Sequence, residues 1–344
     1  MAALRPVAVV VDLVDKPGGR KTHLGDIPVV GGIAMFMGCT FGVGLLPPNS
    51  FVSAPLLSAG ALVVLVGLLD DRFELSPYAR LGAHLSAALL VLSTSSDLSI
   101  TTLGTPFGSP IIFSTFGAAV FTCVAIVGAI NAFNMLDGMD GLAGTMAFVA
   151  LTALSVLATL TGEGSLAAVT MVCAGAVAAF LIFNMPAHFN RRFRCFMGDS
   201  GSTLLGFLLA CMCIGISQGS GPRISPTTTL WVVAIPLYEL LWTTLRRVLR
   251  GKSPFHPDRG HFHHKLLDAG FGVPGAFAVL VLVGALLAAV GISSHVLGAP
   301  DLVSFGLWLA CGVGLVILMN DSKALQLIFP QSLRRPVAPA PEVT

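Results

Sequence analysis

Adjacent carboxylates follow one of the long apolar runs of this chain. The run Leu62–Leu69 leads directly into Asp70 and Asp71, and a third acid, Glu74, follows three residues later. Neighbouring carboxylates at a helix end can hold a divalent cation or accept a proton. A solvated helix terminus with a charge cluster explains the same residues, so this motif alone leaves both interpretations open.

Amides and carboxylates occur together in a second motif, N-A-F-N-M-L-D-G-M-D-G-L, at residues 131–142. Asn131 and Asn134 lie three residues apart and share a helix face if the preceding helix continues. The glycines that follow place Asp137 and Asp140 on turns. Because acids and amides without a basic partner are costly at the edge of a bilayer, we interpret this motif as functional.

A third motif, F-M-G-D-S-G-S-T, opens an apolar run at residues 196–203. Asp199 and a serine could cap the helix that follows, which accounts for one acid and one hydroxyl. Capping does not account for the glycines that bracket them. Such glycines favour close approach of the backbone to a ligand or a phosphate, so we expect a binding role here.

The fourth motif, S-P-F-H-P-D-R-G-H-F-H-H at residues 253–264, holds four of the eight histidines, and Arg246 and Arg247 precede it. Histidine clusters often bind metals, but zinc prefers a further cysteine or carboxylate at ligand spacing. Histidines among arginines suit a polyanion such as a diphosphate. His84, by contrast, lies inside an apolar run and is interpreted as a structural histidine.

A fifth motif combines glycines with bases near the start of the chain. It reads D-K-P-G-G-R-K-T-H at residues 15–23, with I-P-V-V-G-G at 27–32. This composition fits a loop that contacts phosphate, and it fits the basic flank of a membrane segment equally well.

The composition indicates which elements must position these motifs. Of 344 residues, 55% are apolar and only 10% are charged, and the mean hydropathy is +0.87. A soluble domain has about 25% charged residues, so a soluble, disordered, coiled-coil or disulfide-stapled protein is excluded. The net charge of +2 is too small to indicate nucleic-acid binding. The seven cysteines are expected to be free and mostly buried.

The sequence predicts an all-α, polytopic integral membrane protein with one multi-span domain over residues 1–322. A membrane helix needs ~20 mostly apolar residues. The ten predicted spans are 29–47, 54–69, 79–93, 111–130, 143–160, 166–186, 200–217, 229–248, 275–294 and 302–319. Residues 1–14 are apolar but too short to cross a bilayer and are predicted as a stub, and residues 323–344 are predicted as a disordered cytoplasmic tail.

Basic residues are distributed asymmetrically across these spans. All of the 19 lysines and arginines except Arg5 and Arg223 fall on one side, which the bias of positive charge identifies as cytoplasmic. The loops that carry the motifs fall on that same side, at 15–28, 70–80, 131–142, 187–199 and 249–274. Acids suited to Mg²⁺ and bases suited to phosphates therefore share one membrane face. Together they predict magnesium-dependent phosphoryl chemistry on a lipid substrate at the cytoplasmic surface of the bilayer.

The five motifs, in this order over about residues 12–272, resemble those of the polyprenyl-phosphate N-acetylhexosamine-1-phosphate transferases. They are most similar to the bacterial undecaprenyl-phosphate GlcNAc-1-phosphate transferases. The resemblance implies that UDP-GlcNAc and undecaprenyl phosphate react at the bacterial inner (plasma) membrane to give undecaprenyl-diphosphate-GlcNAc and UMP. This is the first membrane step of cell-envelope polysaccharide assembly. The resemblance further implies Mg²⁺ as cofactor, with Mn²⁺ as a substitute, and a homodimer.

The resemblance also assigns roles to individual residues. It implies that Asp70, with Asp71 beside it, deprotonates or orients the attacking lipid phosphate, and that Asn134 and Asp199 bind the metal. Residues implied to lie near the nucleotide sugar are Asp137, Gly138, Met139, Asp140 and Asn184, and Asn131 is added from its motif. Residues implied to contact the diphosphate during catalysis are His261, His263, His264 and Arg247, with Lys21 and His23 as further candidates.

Two features depart from the family pattern. The first span of the family is reduced to the stub, and Glu74 and Glu239 stand where relatives often have aspartate. The charge is kept, but each side chain is one methylene longer.

Three alternatives remain open at this point. The phospho-MurNAc-pentapeptide transferase of peptidoglycan synthesis has a related pattern, although H-F-H-H and I-P-V-V-G-G resemble the GlcNAc branch more. A secondary transporter is also polytopic, but transporters place ionisable groups near the bilayer midplane between inverted repeats. A metal-dependent lipid phosphatase differs in that water replaces the lipid phosphate as acceptor.

Overall fold

A computed structural model describes residues 4–15, 25–47, 54–94, 96–185, 193–219, 224–254 and 260–334. Within these ranges most of the chain is helical, and the rest consists of loops, two short antiparallel strands and a few isolated bridges. The prediction of an all-α membrane protein is confirmed.

Most of the elements are long helices, and a few helices have only six or seven residues. The helices are α1 (Arg5–Val10), α2 (Gly31–Gly44), α3 (Ala54–Phe73), α4 (Pro77–Thr94), α5 (Thr115–Leu136), α6 (Leu142–Leu160), α7 (Gly164–Asn184), α8 (Gly198–Gln218), α9 (Pro226–Val232), α10 (Ala234–Leu249), α11 (Phe262–Asp268), α12 (Val273–Val296), α13 (Asp301–Asn320) and α14 (Ser322–Ile328). The strands are β1 (Val14–Asp15) and β2 (Ile27–Pro28).

Each predicted span coincides with a helix or with the α9–α10 pair, but the predicted count of ten is not confirmed. Among the described residues, six helices are long and apolar enough to cross a membrane, and α9 with α10 makes a seventh if the bent pair is one span. The six are α5, α6, α7, α8, α12 and α13. Three further helices coincide with predicted spans but are not among the six. Helix α2 has only 14 residues, and helices α3 and α4 carry charged residues at the ends that enter the site.

The predicted span 229–248 is broken in the structure. Helices α9 and α10 meet at Val233 with a bend of 87°. Pro236 explains the break, because a proline has no N–H to donate and its ring clashes with the carbonyl four residues earlier. That carbonyl belongs to Val232, where α9 ends.

Helix α8 is the centre of the bundle. In its apolar window 83% of the residues are buried, compared with 28% in α13. Glycines allow its neighbours to approach its backbone: a Cβ on Gly67 of α3 would lie 2.3 Å from Ser200 Cα, and one on Gly32 of α2 would lie 2.4 Å from Gly201 N. On the other side, a Cβ on Gly206 would lie 2.4 Å from the carbonyl oxygen of Ala129 in α5.

The end of α8 farthest from the motifs holds a β-bridged hairpin. Residues 101–112 fold back through the bridge between Thr102 and Ile112. Gln218 accepts a hydrogen bond from Thr101 N (3.0 Å) and donates one to the carbonyl of Thr102 (2.9 Å). Asp301 accepts one from Thr105 N (2.8 Å). The two ends of α8 are therefore chemically distinct, with threonine-rich connectors at one and the motifs at the other.

The disorder predicted from residue 323 is wrong for the part of the tail that the structure describes. Asp321 caps α14 by accepting hydrogen bonds from the backbone N–H groups of Lys323 (3.0 Å) and Ala324 (3.1 Å). Leu325 is fully buried, and Phe329 packs edge-on against Phe271. The described part of the tail, up to residue 334, is ordered because it buries these side chains. Its short length and polarity concealed this in the sequence.

We expect Gly206→Ala to lower the stability of the bundle by about 1–3 kcal/mol, because the added methyl group overlaps backbone atoms of α5. The midpoint of thermal unfolding of the purified protein in detergent measures this.

The matched control is Gly175→Ala in α7, where a Cβ meets nothing within 4 Å. Alanine is a better helix former than glycine, so this variant should be unchanged or slightly more stable. Equal midpoints for the two variants would contradict the packing that we describe for α8.

Candidate active site

Four segments far apart in the sequence meet at one end of the bundle. They are the end of α3 with the part of α4 that follows it, the end of α5 with the turn after it, the start of α8, and the end of α10. A cavity of about 630 Å³ opens between them. Its polar lining residues are Asp70, Arg80, His84, Asn131, Asn134, Asp199, Thr203, Thr244 and Arg247. The structure thus brings together residues from four of the five motifs and their flanks.

Asp70 is held in place by the turn after α3. Its side chain is almost fully buried, and its Oδ1 accepts a hydrogen bond from Leu75 N at 2.8 Å. Glu74 takes a left-handed backbone conformation with φ 50°, which ends the helix and turns the chain back. Oδ2 of Asp70 pairs with Nη1 of Arg80 at 2.8 Å. Both carboxylate oxygens are therefore oriented by fixed partners.

Asp199 lies in the first turn of α8 and faces Asn134. Nδ2 of Asn134 donates to Oδ1 of Asp199 at 2.6 Å and to Oγ of Ser202 at 3.1 Å. Oδ2 of Asp199 lies 3.8 Å from Nη1 of Arg80, so this guanidinium lies between the carboxylates of Asp70 and Asp199. The two residues that the resemblance assigns to the metal are in direct contact.

Asp71 faces α8 and has a different environment from Asp70. Its Oδ1 accepts a hydrogen bond from Asp199 N at 2.7 Å, and its Oδ2 accepts one from Ser200 N at 3.2 Å. A carboxylate at a helix N-terminus satisfies otherwise unpaired N–H groups and favours the helix dipole. The structure therefore indicates that Asp71 positions the first turn of α8, while its predicted role beside Asp70 in catalysis stays a prediction.

The turn after α5 carries the next two acids. Asp137 caps the end of α5, and Asp140 forms an ion pair with Arg194. Withdrawal from water, followed by the charges of nearby acids, raises the pKa of Asp137 to about 8. The contributing acids are Asp199, Asp140 and Asp71. Asp137 is therefore mostly protonated at neutral pH in the protein alone, and a bound cation would favour its charged form.

Asn184 at the end of α7 holds two site segments together. Its Oδ1 accepts a hydrogen bond from Gly141 N at 2.6 Å, and its Nδ2 donates to the carbonyl of Cys195 at 3.0 Å. Gly141 has φ 77°, the left-handed conformation that lets the turn meet α6. Asn184 is buried, so the structure shows it holding this backbone, while its predicted place near the nucleotide stays a prediction.

The histidines at the start of α11 form a second side of the site. We call His261, His263 and His264 the histidine wing. Oε1 of the buried Glu239 lies 2.7 Å from Nδ1 of His261, and Oε2 accepts a hydrogen bond from Phe262 N at 2.9 Å. The rings of His263 and His264 lie 4.2 Å apart. Glu239 therefore fixes both the first histidine and the start of α11.

The histidine wing contacts the acidic turn at Gly138. A Cβ on Gly138 would lie 2.4 Å from Cε1 of His263, so the imidazole packs directly on the turn. Burial, followed by the charges of the neighbouring histidines, lowers the pKa of His263 to about 3. At neutral pH this ring is uncharged and can contribute a hydrogen bond but no positive charge.

Two buried arginines at the end of α10 hold the backbone before the histidines. Nη1 of Arg246 donates to the carbonyl of Gly260 at 2.7 Å, and Nη1 of Arg247 donates to the carbonyl of Pro254. Arg247 also lines the cavity. The predicted phosphate contact of Arg247 is therefore compatible with its position.

The acids fit a divalent cation only together with a substrate. Within the described ranges, no group of three or more His, Cys, Asp or Glu side chains forms a complete metal site. Four carboxylates nevertheless influence one another, and Arg80 is the guanidinium paired with two of them. The four are Asp70, Asp71, Asp137 and Asp199. Such a surplus suits Mg²⁺, which takes one or two carboxylates and completes its shell with water and substrate phosphates.

Some predicted residues cannot be placed, and others were missed. Lys21 and His23 lie outside the described residues. Asn131 lines the cavity, and its Nδ2 donates to Val127 O of its own helix at 2.7 Å. Sequence reasoning assigned no role to Arg80, although a base shortly after two acids is a visible signal. Glu239 was noted only as a departure, although an acid inside an apolar span commonly indicates function.

We expect Asn184→Ala to loosen the segments on either side of it, because Gly141 N and the Cys195 carbonyl each lose a partner. Hydrogen–deuterium exchange of peptides covering residues 137–145 and 193–197 should become faster.

Asn320→Ala is the matched control. Among the described residues, Nδ2 of the exposed Asn320 donates only to Val316 O of its own helix, at 2.7 Å. Exchange in the two site segments should stay unchanged in this variant. Unchanged exchange in Asn184→Ala as well would show that Asn184 does not hold these segments.

Comparison with known proteins places this geometry in a family. Residues 53–217 match the model of the family described as glycosyl transferase family 4. These residues run from the start of α3 to the end of α8. They include the acid cluster, which consists of Asp70, Asp71, Asp137 and Asp199.

Several relatives match most of the chain. The undecaprenyl-phosphate alpha-N-acetylglucosaminyl 1-phosphate transferase of Escherichia coli (strain K12) is 39% identical over 290 residues, which cover 84% of this chain and 78% of the relative. The protein of the same name from Salmonella typhi is 40% identical over 296 residues, 85% of this chain and 79% of the relative. That of Haemophilus influenzae is 36% identical over 301 residues, 86% and 83% of the two chains. With this identity over most of both sequences, the chain belongs to glycosyl transferase family 4.

Proposed function

We propose that this protein transfers GlcNAc-1-phosphate from UDP-GlcNAc to undecaprenyl phosphate, giving undecaprenyl-diphosphate-GlcNAc and UMP. The observation that carries the proposal is the cavity of about 630 Å³, which joins a charged end to an apolar wall. A polyprenyl phosphate has the same two parts. The names of the relatives support undecaprenyl phosphate as the lipid and GlcNAc-1-phosphate as the transferred group.

The apolar wall of the cavity follows the helices away from the charged end. It is formed by Val66, Leu81, Leu85, Val124, Val127 and Leu240. These residues belong to α3, α4, α5 and α10, and in part face outward from the bundle. A lipid can therefore enter from the membrane with its phosphate directed toward Asp70 and Asp199.

The active site is placed on the cytoplasmic face in this proposal. The bases of the chain lie almost entirely on the side of the motifs, and the cytoplasm is where positive loops are retained and where nucleotide sugars are made. The donor then approaches from water while the acceptor approaches from the bilayer.

Asp199 and Asn134 are the residues that would hold Mg²⁺, with the donor diphosphate completing its shell. Bound there, Mg²⁺ would neutralise the charge that develops between the two phosphates. Asp71 fixes the position of Asp199 through the α8 backbone.

The protein residues act mainly by orientation. The second pKa of a phosphate monoester is about 6, so the lipid phosphate needs little help to ionise at neutral pH. Asp70 instead directs Arg80 toward the cavity, and Arg80 can pair with the incoming phosphate. The opposite side of the site carries His261, His263, His264 and Arg247, which would contact the diphosphate. These contacts would oppose the repulsion between the reacting anions.

The first test is a detergent assay with Mg²⁺, undecaprenyl phosphate and radiolabelled UDP-GlcNAc, run beside UDP-MurNAc-pentapeptide. We expect labelled lipid and UMP from UDP-GlcNAc alone, and loss of product when Mg²⁺ is chelated. Asp199→Asn should lower turnover by at least about a hundredfold, because charge neutralisation at the diphosphate is lost.

Asp97→Asn serves as the matched control, since Asp97 is an exposed acid in the loop at the opposite end of α8. Its turnover should equal that of the wild type. Product from UDP-MurNAc-pentapeptide in place of UDP-GlcNAc would reject the proposed donor, and normal turnover in Asp199→Asn would remove this residue from the mechanism.

Glu239→Gln should reduce kcat about tenfold, because a charge-assisted hydrogen bond to His261 is replaced by a neutral one. The same substitution in a His261→Ala background should add almost no further loss, since the partner that Glu239 orients is already absent.

Steady-state kinetics of the two single variants and the double variant measure this coupling. Glu163→Gln, in the loop between α6 and α7, is the control and should keep the wild-type kcat. Fully additive losses in the double variant would show that Glu239 does not act through His261.

A further inference from the structure

We propose that His84 binds the phosphate of the lipid acceptor from the membrane side, one helical turn beyond Arg80. The inference rests on the proposed function and goes further, since it names a residue for one particular substrate. No motif includes His84, and sequence reasoning treated it as structural.

One face of α4 forms a wall of the cavity. Its lining residues are Pro77, Arg80, Leu81, His84 and Leu85, a spacing that repeats every three or four residues as one helix face does. Arg80 and His84 are therefore neighbours along this face, separated by about 6 Å of helix rise. Because α4 starts next to the acid cluster and runs away from it, His84 lies deeper in the apolar wall than Arg80.

His84 is a buried polar residue in the wall of the cavity. Its exposed fraction is 4%, and its Nδ1 has no hydrogen-bond partner among the described residues. A buried polar atom without a partner costs stability, because it has lost its hydrogen bonds to water and gained none. An apolar residue would fill this place in the wall at no such cost, so the ring points to a partner that the protein alone does not supply.

The position suits the phosphate of a polyprenyl phosphate. Such a phosphate must lie where the charged end of the cavity meets the apolar wall, because its chain continues into the bilayer. Arg80 stands on the charged side of this boundary, paired with Asp70, and His84 stands on the apolar side beside Leu85. A neutral imidazole can donate one N–H to a phosphate oxygen there without placing a further charge in the membrane.

The test compares ligands with and without the phosphate. His84→Leu removes the donor, and His84→Gln retains an N–H of similar reach. Leu81→Ala is the control, because it alters the apolar wall of the same helix face. Binding of undecaprenyl phosphate and of undecaprenol to each purified protein in nanodiscs is measured directly, with inorganic phosphate as competitor, and KM is measured for acceptor and donor separately.

We expect His84→Leu to weaken binding of undecaprenyl phosphate about tenfold, as for loss of a hydrogen bond to a charged group. Binding of undecaprenol and the KM for UDP-GlcNAc should stay unchanged. His84→Gln should recover most of the affinity, and Leu81→Ala should weaken both lipids equally. Inorganic phosphate should compete poorly, since the site requires the attached chain.

Other outcomes overturn the inference. Equal losses for phosphate and alcohol in His84→Leu would make the histidine structural, and a raised donor KM would place the donor diphosphate there. Strong competition by inorganic phosphate would indicate a free-anion site. The binding arm needs no UDP-GlcNAc, so a wild-type protein that binds undecaprenyl phosphate through His84 but transfers no sugar would reject the proposed reaction and retain the subsite.

Discussion

The site depends on the contact between the carboxylate of Asp71 and the first backbone amides of α8. Two hydrogen bonds, at 2.7 and 3.2 Å, join α3 to the N-terminus of the most buried helix. They determine where Asp199 lies, and Asp199 in turn orients Asn134. Gly67 makes this contact possible, because any side chain there would overlap Ser200 and move the two helices apart.

The same arrangement recurs in the other parts of the site. Asn184 bonds the backbone of Gly141 and Cys195, and Glu239 bonds the backbone of Phe262. In each case a buried polar side chain of a membrane helix fixes a loop that carries chemistry. A bilayer offers no water to satisfy these groups, so their bonds are effectively obligatory and the loops they hold are well defined.

Much of the fold and of the site could be predicted from one sequence. The part that could not be predicted consists of contacts between residues far apart in the sequence. The i, i+3 spacing of Asn131 and Asn134 places both on one helix face only if α5 continues past its apolar run, and the structure shows that it continues to Leu136. Asp70 and Asp71 are adjacent, so their opposite environments depend on α8, 128 residues away from Asp71. Hydropathy averaged over a window also concealed the break that Pro236 causes between α9 and α10.

Exchange of one phosphoanhydride for another needs little driving force, so catalysis rests on holding two anions in contact. In this fold the carboxylates of Asp70 and Asp199 share the guanidinium of Arg80, so two acids face one base. A cavity with such a surplus repels a lone phosphate and accepts one that arrives with a cation. In the proposed reaction the order of helices separates the two substrates. The apolar wall of α4 and α5 would admit the lipid, and the histidine wing of α10 and α11 would face the donor. Charge and geometry together therefore select a pair of substrates, which the charge alone or the geometry alone could not select.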